Sequence, residues 1–225
     1  NLRLSYQISP SSKAHIGFAA KTSNDLLSEN QSQENLQDYS SSFLTTGATF
    51  IKLQQNTLFP VKTFLNLEIG IGNRKTTSRK TKQITITNVV NHILTLNQKN
   101  SIYLQNTTNV ITSDGYLTNE LFRFGGINSM RGFSENNIDA SLVSVLNTEY
   151  RYLLNQQTYL HSIIDIGYFE NKSISQKEKL YSFGMGLGMT TKAGLLKFSI
   201  ANGNIDGQAF KFSNSKIHLS LASQF

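Results

Sequence analysis

The 225-residue chain has no cysteine, few charged residues and no long hydrophobic run. Without cysteine, neither a disulfide framework nor a thiolate metal site can form. The four histidines are scattered along the chain, so the sequence predicts no metal site and no cofactor. No segment approaches the roughly 18–20 consecutive apolar residues that a membrane helix needs. At 16% charged and 38% apolar residues, the chain is poor in charge for a soluble protein and poor in hydrophobicity for a helical membrane protein.

The chain opens with NLRLSYQISP, which is neither an initiator Met nor a signal peptide. We expect either a mature or truncated form, or a protein that stays in the cytoplasm. The net charge of +7 does not point to nucleic acid, because Lys and Arg are spread along the chain. Their densest cluster, residues 73–82, is typical of a solvated loop, whose cations would suit lipopolysaccharide phosphates.

Apolar and polar residues alternate in segments of about ten residues, and no helical period is sustained. In LYSFGMGLGMT, which ends at Thr190, large apolar side chains alternate with Ser, Gly or Thr. A period of two predicts an all-β protein. Eleven strands are predicted, at residues 1–9, 14–23, 43–55, 62–73, 81–96, 100–112, 139–153, 158–170, 178–190, 194–203 and 215–225.

The connections between these strands alternate between short and long, and the longest are residues 24–42 and 113–138. Outer-membrane barrels show this alternation because their periplasmic turns are tight and their outer loops are free to grow. A strand of about ten residues, rising about 3.3 Å per residue and tilted by about 40°, spans the roughly 25 Å apolar band of that membrane. The sequence therefore predicts an antiparallel transmembrane β-barrel in the bacterial outer membrane.

The final segment, KIHLSLASQF, places apolar residues at alternate positions before a terminal aromatic residue. This arrangement looks like the C-terminal signal of outer-membrane barrels. The residues that carry it are Ile217, Leu219, Leu221 and Phe225. Eleven strands is an odd number, whereas bacterial single-chain barrels normally have an even one, and an open edge in lipid leaves backbone groups unpaired. We therefore expect further strands upstream, with residues 1–225 as the C-terminal portion of one barrel domain.

The longest connection contains FRFGGINSMRGF, residues 122–133, in which two arginines lie among glycines and aromatic residues. Its motif residues are Gly125, Gly126, Met130, Arg131, Gly132 and Phe133. The stretch resembles the (V/I)RG(F/Y) loop of the BamA/TamA/FhaC superfamily of outer-membrane assembly and secretion barrels. There the loop folds into the lumen of a sixteen-stranded barrel and five strands follow it, as five are predicted here. The resemblance implies that this chain holds the last eleven strands, with five strands and any POTRA domains upstream.

An arginine inside a barrel needs carboxylates nearby, because its guanidinium is always charged. Strand alternation places Glu149 and Asp165 on the inner faces of adjacent predicted strands. Members of the superfamily carry such acidic residues in patterns that resemble NTEYR and IIDIG. We therefore predict a cluster of Arg131 with Asp165 and Glu149. In this cluster Gly132 allows close approach and Phe133 packs.

Two other patterns are interpreted as structural rather than chemical. GMGLG, residues 184–188, lacks the G-x-G-x-x-G spacing of a dinucleotide site, and its alternate glycines predict a smooth inner wall for the returning loop or a substrate. His161 and Asp165 share a face but are four residues apart, which is about 13 Å along a strand and beyond hydrogen-bonding reach. We therefore predict no catalytic residues, and the role of Arg123 stays open.

The resemblance implies a protein that inserts β-barrel substrates into the outer membrane through a weakly paired seam between its first and last strands. Residues 215–225 would form one side of that seam. The implied partners are unfolded outer-membrane proteins, accessory assembly lipoproteins, membrane lipid and lipopolysaccharide, with no nucleic acid and no enzymatic activity. The alternatives are secretion of a dedicated partner, anchoring of a fused enzyme domain, and a plain porin-like barrel.

Overall fold

The computed structural model describes residues 1–23, 37–56, 58–209 and 211–222. In these ranges the chain forms β-strands and two short 3₁₀ helices, Thr118–Glu120 and Phe212–Asn214. The strands are β1 Leu2–Ser9, β2 Ser12–Ser23, β3 Tyr39–Leu53, β4 Val61–Lys75, β5 Lys80–Thr95, β6 Asn100–Ser113, β7 Phe122–Phe124, β8 Ile138–Ala140, β9 Leu142–Leu153, β10 Thr158–Asn171, β11 Gln176–Thr191, β12 Gly194–Ile205 and β13 Ser215–Ala222. None of the described segments is a helix of the length and apolar character that a membrane crossing requires.

Eleven of the strands form one antiparallel sheet, in which β1 to β6 and then β9 to β13 pair in chain order. The other two, β7 and β8, form a short hairpin within the connection between β6 and β9. This up-and-down order holds across both short and long connections, because antiparallel neighbours need no crossover. The predicted all-β fold with eleven long antiparallel strands is confirmed.

The observed strand boundaries differ most from the prediction beside the longer connections. Cross-strand pairing between β4 and β5 continues to Lys75 and Lys80, so only residues 76–79 remain of the predicted connection 74–80. The predicted strand 139–153 is divided at Ser141 into β8 and β9. Most of the predicted long connection 24–42 lies outside the described residues, and so does Phe225.

Alternation gives the sheet two chemically different faces. On one face large apolar side chains are exposed, such as Ile164, Phe183 and Met185, the last with 72% of its surface accessible. On the opposite face polar side chains such as Asp165 and Ser182 are buried. We call this second face the inner face. Apolar outside and polar inside is the arrangement of a transmembrane barrel wall.

Two apolar clusters lie on the inner face. The first contains Phe124, Met130, Ala140, Val143, Val145, Phe169 and Leu180. The second contains Leu58, Phe59, Ile93 and Tyr159, at the end of the sheet that carries the short turns. Phe59 precedes β4 and packs edge-on against Tyr159 of β10, with 4.8 Å between ring centroids. Because β5, β6 and β9 separate these strands, the contact requires the sheet to curl around its inner face.

Candidate functional site at the tip of the inner loop

The connection between β6 and β9, residues 114–141, folds onto the inner face, and we call it the inner loop. Strand β7 is followed directly by a tight reversal at Gly125 and Gly126, whose φ angles of 114° and 93° favour glycine. The N–H of Gly126 donates to the carbonyl of Met130 at 3.0 Å. The N–H of Gly125 donates to the hydroxyl of Ser129 at 2.8 Å. These bonds close the turn immediately before Arg131.

The side chain of Arg131 lies between the two carboxylates that the sequence suggested. Its Nε donates to Asp165 Oδ2 at 2.9 Å and its Nη2 donates to Asp165 Oδ1 at 2.5 Å, which makes the pair bidentate. Its Nη1 donates to Glu149 Oε1. The backbone N–H of Arg131 also donates to Asp165 Oδ2, at 3.2 Å. All three side chains are buried, Asp165 to 1% exposure, so each charge is removed from water and compensated by its partners.

Glu149 is shared with a second arginine, Arg151, which the sequence prediction did not include. Nε of Arg151 donates to Glu149 Oε2 at 2.7 Å. The guanidinium lies over the rings of Tyr103 and Phe59, 4.0 and 4.4 Å from their centroids. The aromatic faces and the carboxylate together stabilise this buried cation. We refer to Arg131, Asp165, Glu149 and Arg151 as the tip cluster.

Phe59 reaches the tip cluster from the connection between β3 and β4. The side-chain oxygen of Asn56 accepts hydrogen bonds from the N–H groups of Leu58 and Phe59, both at 3.0 Å. The side chain of Gln54 donates to the carbonyl of Phe59 at 2.7 Å. This local network directs the two apolar side chains onto the inner face. A single Phe in a turn gives no sequence signal for such a role, so the contact was not predictable.

The residues that flank Arg131 pack closely against the strands. Met130 is fully buried, and its Sδ lies 3.2 Å from where a Cβ on Gly167 would be. Gly132 has φ of 83°, and a Cβ there would lie 2.5 Å from the backbone nitrogen of Gly203. The ring of Phe133 covers Gly203 in turn, since a Cβ on Gly203 would lie 2.6 Å from it. The tip therefore lies directly on β12, where a larger residue would separate the two backbones.

A second buried ion pair fixes the beginning of the inner loop. Arg74 of β4 donates from Nη1 to Glu120 Oε1 and, at 3.2 Å, to the carbonyl of Gly115. Gln83 of β5 donates to Glu120 Oε2 at 2.7 Å, and the N–H of Leu117 donates to Oε1 at 2.9 Å. We call Arg74, Gln83 and Glu120 the base cluster. The prediction of a solvated cationic loop is wrong for Arg74, which is buried because Glu120 folds back onto it; Lys75, Arg79, Lys80 and Lys82 are exposed.

Two of the three alternate glycines of β11 do not form an open wall for the loop or a substrate. A Cβ on Gly186 would collide with the ring of His161, and a Cβ on Gly188 would collide with the ring of Tyr159. The neighbouring strand β10 therefore fills the space with its own rings. At Gly186 and Gly188 the prediction is wrong, because alternation identifies the face of a residue but not the side chain that lies across it.

The remaining predicted residues have simple placements. Arg123 lies opposite Asp139 in the β7–β8 hairpin, with 3.3 Å between Nε and Oδ1, and it is exposed. The β13 side chains of Ile217, Leu219 and Leu221 lie on the exposed apolar face, while Phe225 lies outside the described residues. Across the described ranges, no group of three or more His, Asp or Glu residues is arranged to hold a metal ion.

Comparison with known proteins gives a family assignment that agrees with the fold. Curated proteins give no match to this sequence. The family model described as the Omp85 superfamily domain matches residues 1–225. This superfamily comprises outer-membrane insertion and secretion barrels, which are transport and assembly proteins rather than enzymes. An eleven-stranded antiparallel sheet with an arginine-tipped loop on its inner face agrees with that match, and the chain belongs to the Omp85 superfamily.

Proposed function

We propose that this protein resides in the bacterial outer membrane and inserts unfolded β-barrel proteins there, through a lateral seam of which β13 is one side. The exposed edge of a β-strand can pair with an incoming strand by backbone hydrogen bonds, which is the chemistry that such insertion requires. Arg131, seated on Asp165 and Glu149, is proposed as the anchor that holds the inner loop in place while this happens.

The observation that carries the proposal is the contact of the inner-loop tip with strands β9, β10 and β12. Arg131 contacts strands β9 and β10, and Gly132 and Phe133 lie against Gly203 of β12. A loop fixed in this way occupies the space along which a polypeptide would pass through the barrel. A lateral route for the substrate therefore fits better than passage through an open pore.

The proposal extends to the rest of the protein. Five strands follow the inner loop, β9 to β13, which fits the last eleven strands of a sixteen-stranded barrel. The first strand and periplasmic POTRA domains would then come from upstream sequence. Unfolded outer-membrane proteins are the proposed substrates, accessory lipoproteins are the proposed partners, and lipid and lipopolysaccharide surround the barrel.

The test is assembly of a β-barrel substrate by the full-length protein in liposomes. Urea-unfolded outer-membrane protein is added, and its folding is followed by heat-modifiable migration on gels. We expect folding to be faster than in empty liposomes and to be slowed at least tenfold by Arg131→Ala. The matched control is Arg123→Ala, which removes an exposed arginine from the same loop and is expected to leave the rate unchanged.

Two results would contradict the proposal. If the protein does not accelerate folding but releases a cosynthesised soluble partner across the membrane, secretion is the function. If instead it conducts ions and Arg131→Ala alters neither conductance nor stability, the chain is part of a porin-like barrel.

A further inference from the structure

The tip of the inner loop makes a hydrogen bond to the last strand of the sheet. The backbone N–H of Gly132 donates to Nε2 of His218, on β13, at 3.0 Å. Both residues are buried. Because an N–H can only donate, Nε2 must be unprotonated, so the imidazole is neutral and carries its proton on Nδ1.

The geometry of β12 makes this contact possible. His218 lies opposite Ser199 in the β12–β13 pair, on the inner face. To reach it from the loop, the Gly132 backbone has to pass close to Gly203 of β12, and the absence of a Cβ at both positions allows that approach. Gly132 also has a φ of 83°, in the left-handed region that favours glycine.

Within the described residues, β13 is held to the sheet by β12 alone. β13 spans Ser215–Ala222, whereas β12 pairs with β11 along the longer segment from Thr191 to Leu180. A bond from the loop to β13 therefore adds a second attachment to a strand at the edge of the sheet.

We propose that His218 is a positioning residue that couples the position of the inner-loop tip to the pairing of β13 with β12. While Gly132 donates to His218, the loop tip and β13 stabilise each other. When β13 moves away from β12, the N–H of Gly132 loses its acceptor, and the loop tip is loosened. The consequence for the seam rests on the function proposed above, but the coupling itself does not.

Hydrogen exchange of the full-length protein in membranes, read by mass spectrometry, tests this coupling. His218→Leu has a similar volume and no acceptor, whereas His218→Gln places an amide oxygen near the position of Nε2. We expect His218→Leu to raise the exchange rates of peptides covering 130–134 and 215–222 by about tenfold, as for loss of one buried hydrogen bond. His218→Gln and the control Ser220→Ala, two residues along the same strand, are expected to exchange as the unsubstituted protein does.

A double substitution separates coupling from a local packing role. Arg131→Ala should raise exchange in β13 when His218 is present and should add little in the His218→Leu background. Additive effects, or faster exchange in β13 with no change at 130–134, would overturn the inference. If His218→Leu does not fold, His218→Asn takes its place, since its shorter side chain keeps polarity but cannot reach Gly132.

Measuring substrate folding in the same samples keeps the two proposals apart. Coupled exchange in a protein that assembles no substrate would contradict the proposed function and leave the role of His218 intact. Assembly without coupled exchange would do the reverse.

Discussion

The tip cluster and the base cluster both attach the inner loop to the sheet, but the charges on the loop and on the strands are exchanged between them. In the tip cluster the loop supplies the cation, Arg131, and the strands supply two carboxylates. In the base cluster the strands supply the cation, Arg74, and the loop supplies one carboxylate, Glu120. Each cluster buries an arginine–carboxylate pair between the inner loop and the sheet. The inner loop is therefore attached at both its beginning and its middle.

The two clusters differ in how far across the sheet they extend. The base cluster joins the loop to the adjacent strands β4 and β5. The tip cluster runs from Asp165 on β10 through Arg131 to Glu149 and Arg151 on β9. The guanidinium of Arg151 in turn stacks on Phe59, which comes from the β3–β4 connection. A substitution in the base cluster should therefore destabilise only its surroundings. A substitution in the tip cluster should destabilise the inner loop, β9, β10 and the β3–β4 connection.

The largest effect in this comparison is expected from Arg131→Ala. The substitution leaves Asp165 buried without a cation, although Glu149 retains Arg151, and breaking one side of a buried pair costs about 3–5 kcal/mol. The measurement is the free energy of unfolding in guanidinium, followed by circular dichroism in detergent micelles. Arg131→Lys is the matched variant: it keeps the charge but not the bidentate geometry, so its cost should be smaller.

A cost below about 1 kcal/mol for Arg131→Ala would mean that water reaches the pair and screens it. The tip cluster would then be no stronger an attachment than an exposed ion pair such as Arg123 with Asp139.

A smaller and more local effect is expected from Glu120→Ala in the base cluster. Arg74 loses its carboxylate but keeps the carbonyl of Gly115, so we expect a loss of about 3 kcal/mol, the lower end of the range for breaking one side of a buried pair. Hydrogen exchange should rise in residues 114–121 and stay unchanged in 130–134. Glu120→Gln serves as control because it preserves the shape and removes the charge. Faster exchange at both sites would show that the base and the tip release together.

The sequence was informative about the tip cluster because its signals were local. Alternation assigned Glu149 and Asp165 to one face of adjacent strands, and the RGF motif identified the arginine. Both signals depend on residues a few positions apart, so they can be recognised in the sequence without knowledge of the fold. The faces of β9 and β10 follow from the same period of two.

The base cluster could not be predicted in the same way. Arg74 lies in a run of cations that is typical of solvated loops, and Glu120 is an isolated acid in an irregular segment. Their pairing depends on how residues 114–121 fold back over the ends of β4 and β5, which no periodicity encodes. The placement of Phe59 on Arg151 has the same origin, because a curled sheet brings together residues far apart in the chain.

The smallest effect is expected from Phe59→Leu, which changes the ring that stacks on Arg151 of the tip cluster. Leucine keeps most of the apolar volume and removes the ring over Arg151, so we expect a loss of about 1 kcal/mol, the scale of a cation–π contact. The measurement is again the free energy of unfolding, made in two backgrounds. With Arg151→Met already present there is no cation to lose, and Phe59→Leu should then cost distinctly less. An equal cost in both backgrounds would mean that Phe59 acts only through its packing on Tyr159 and does not stabilise Arg151.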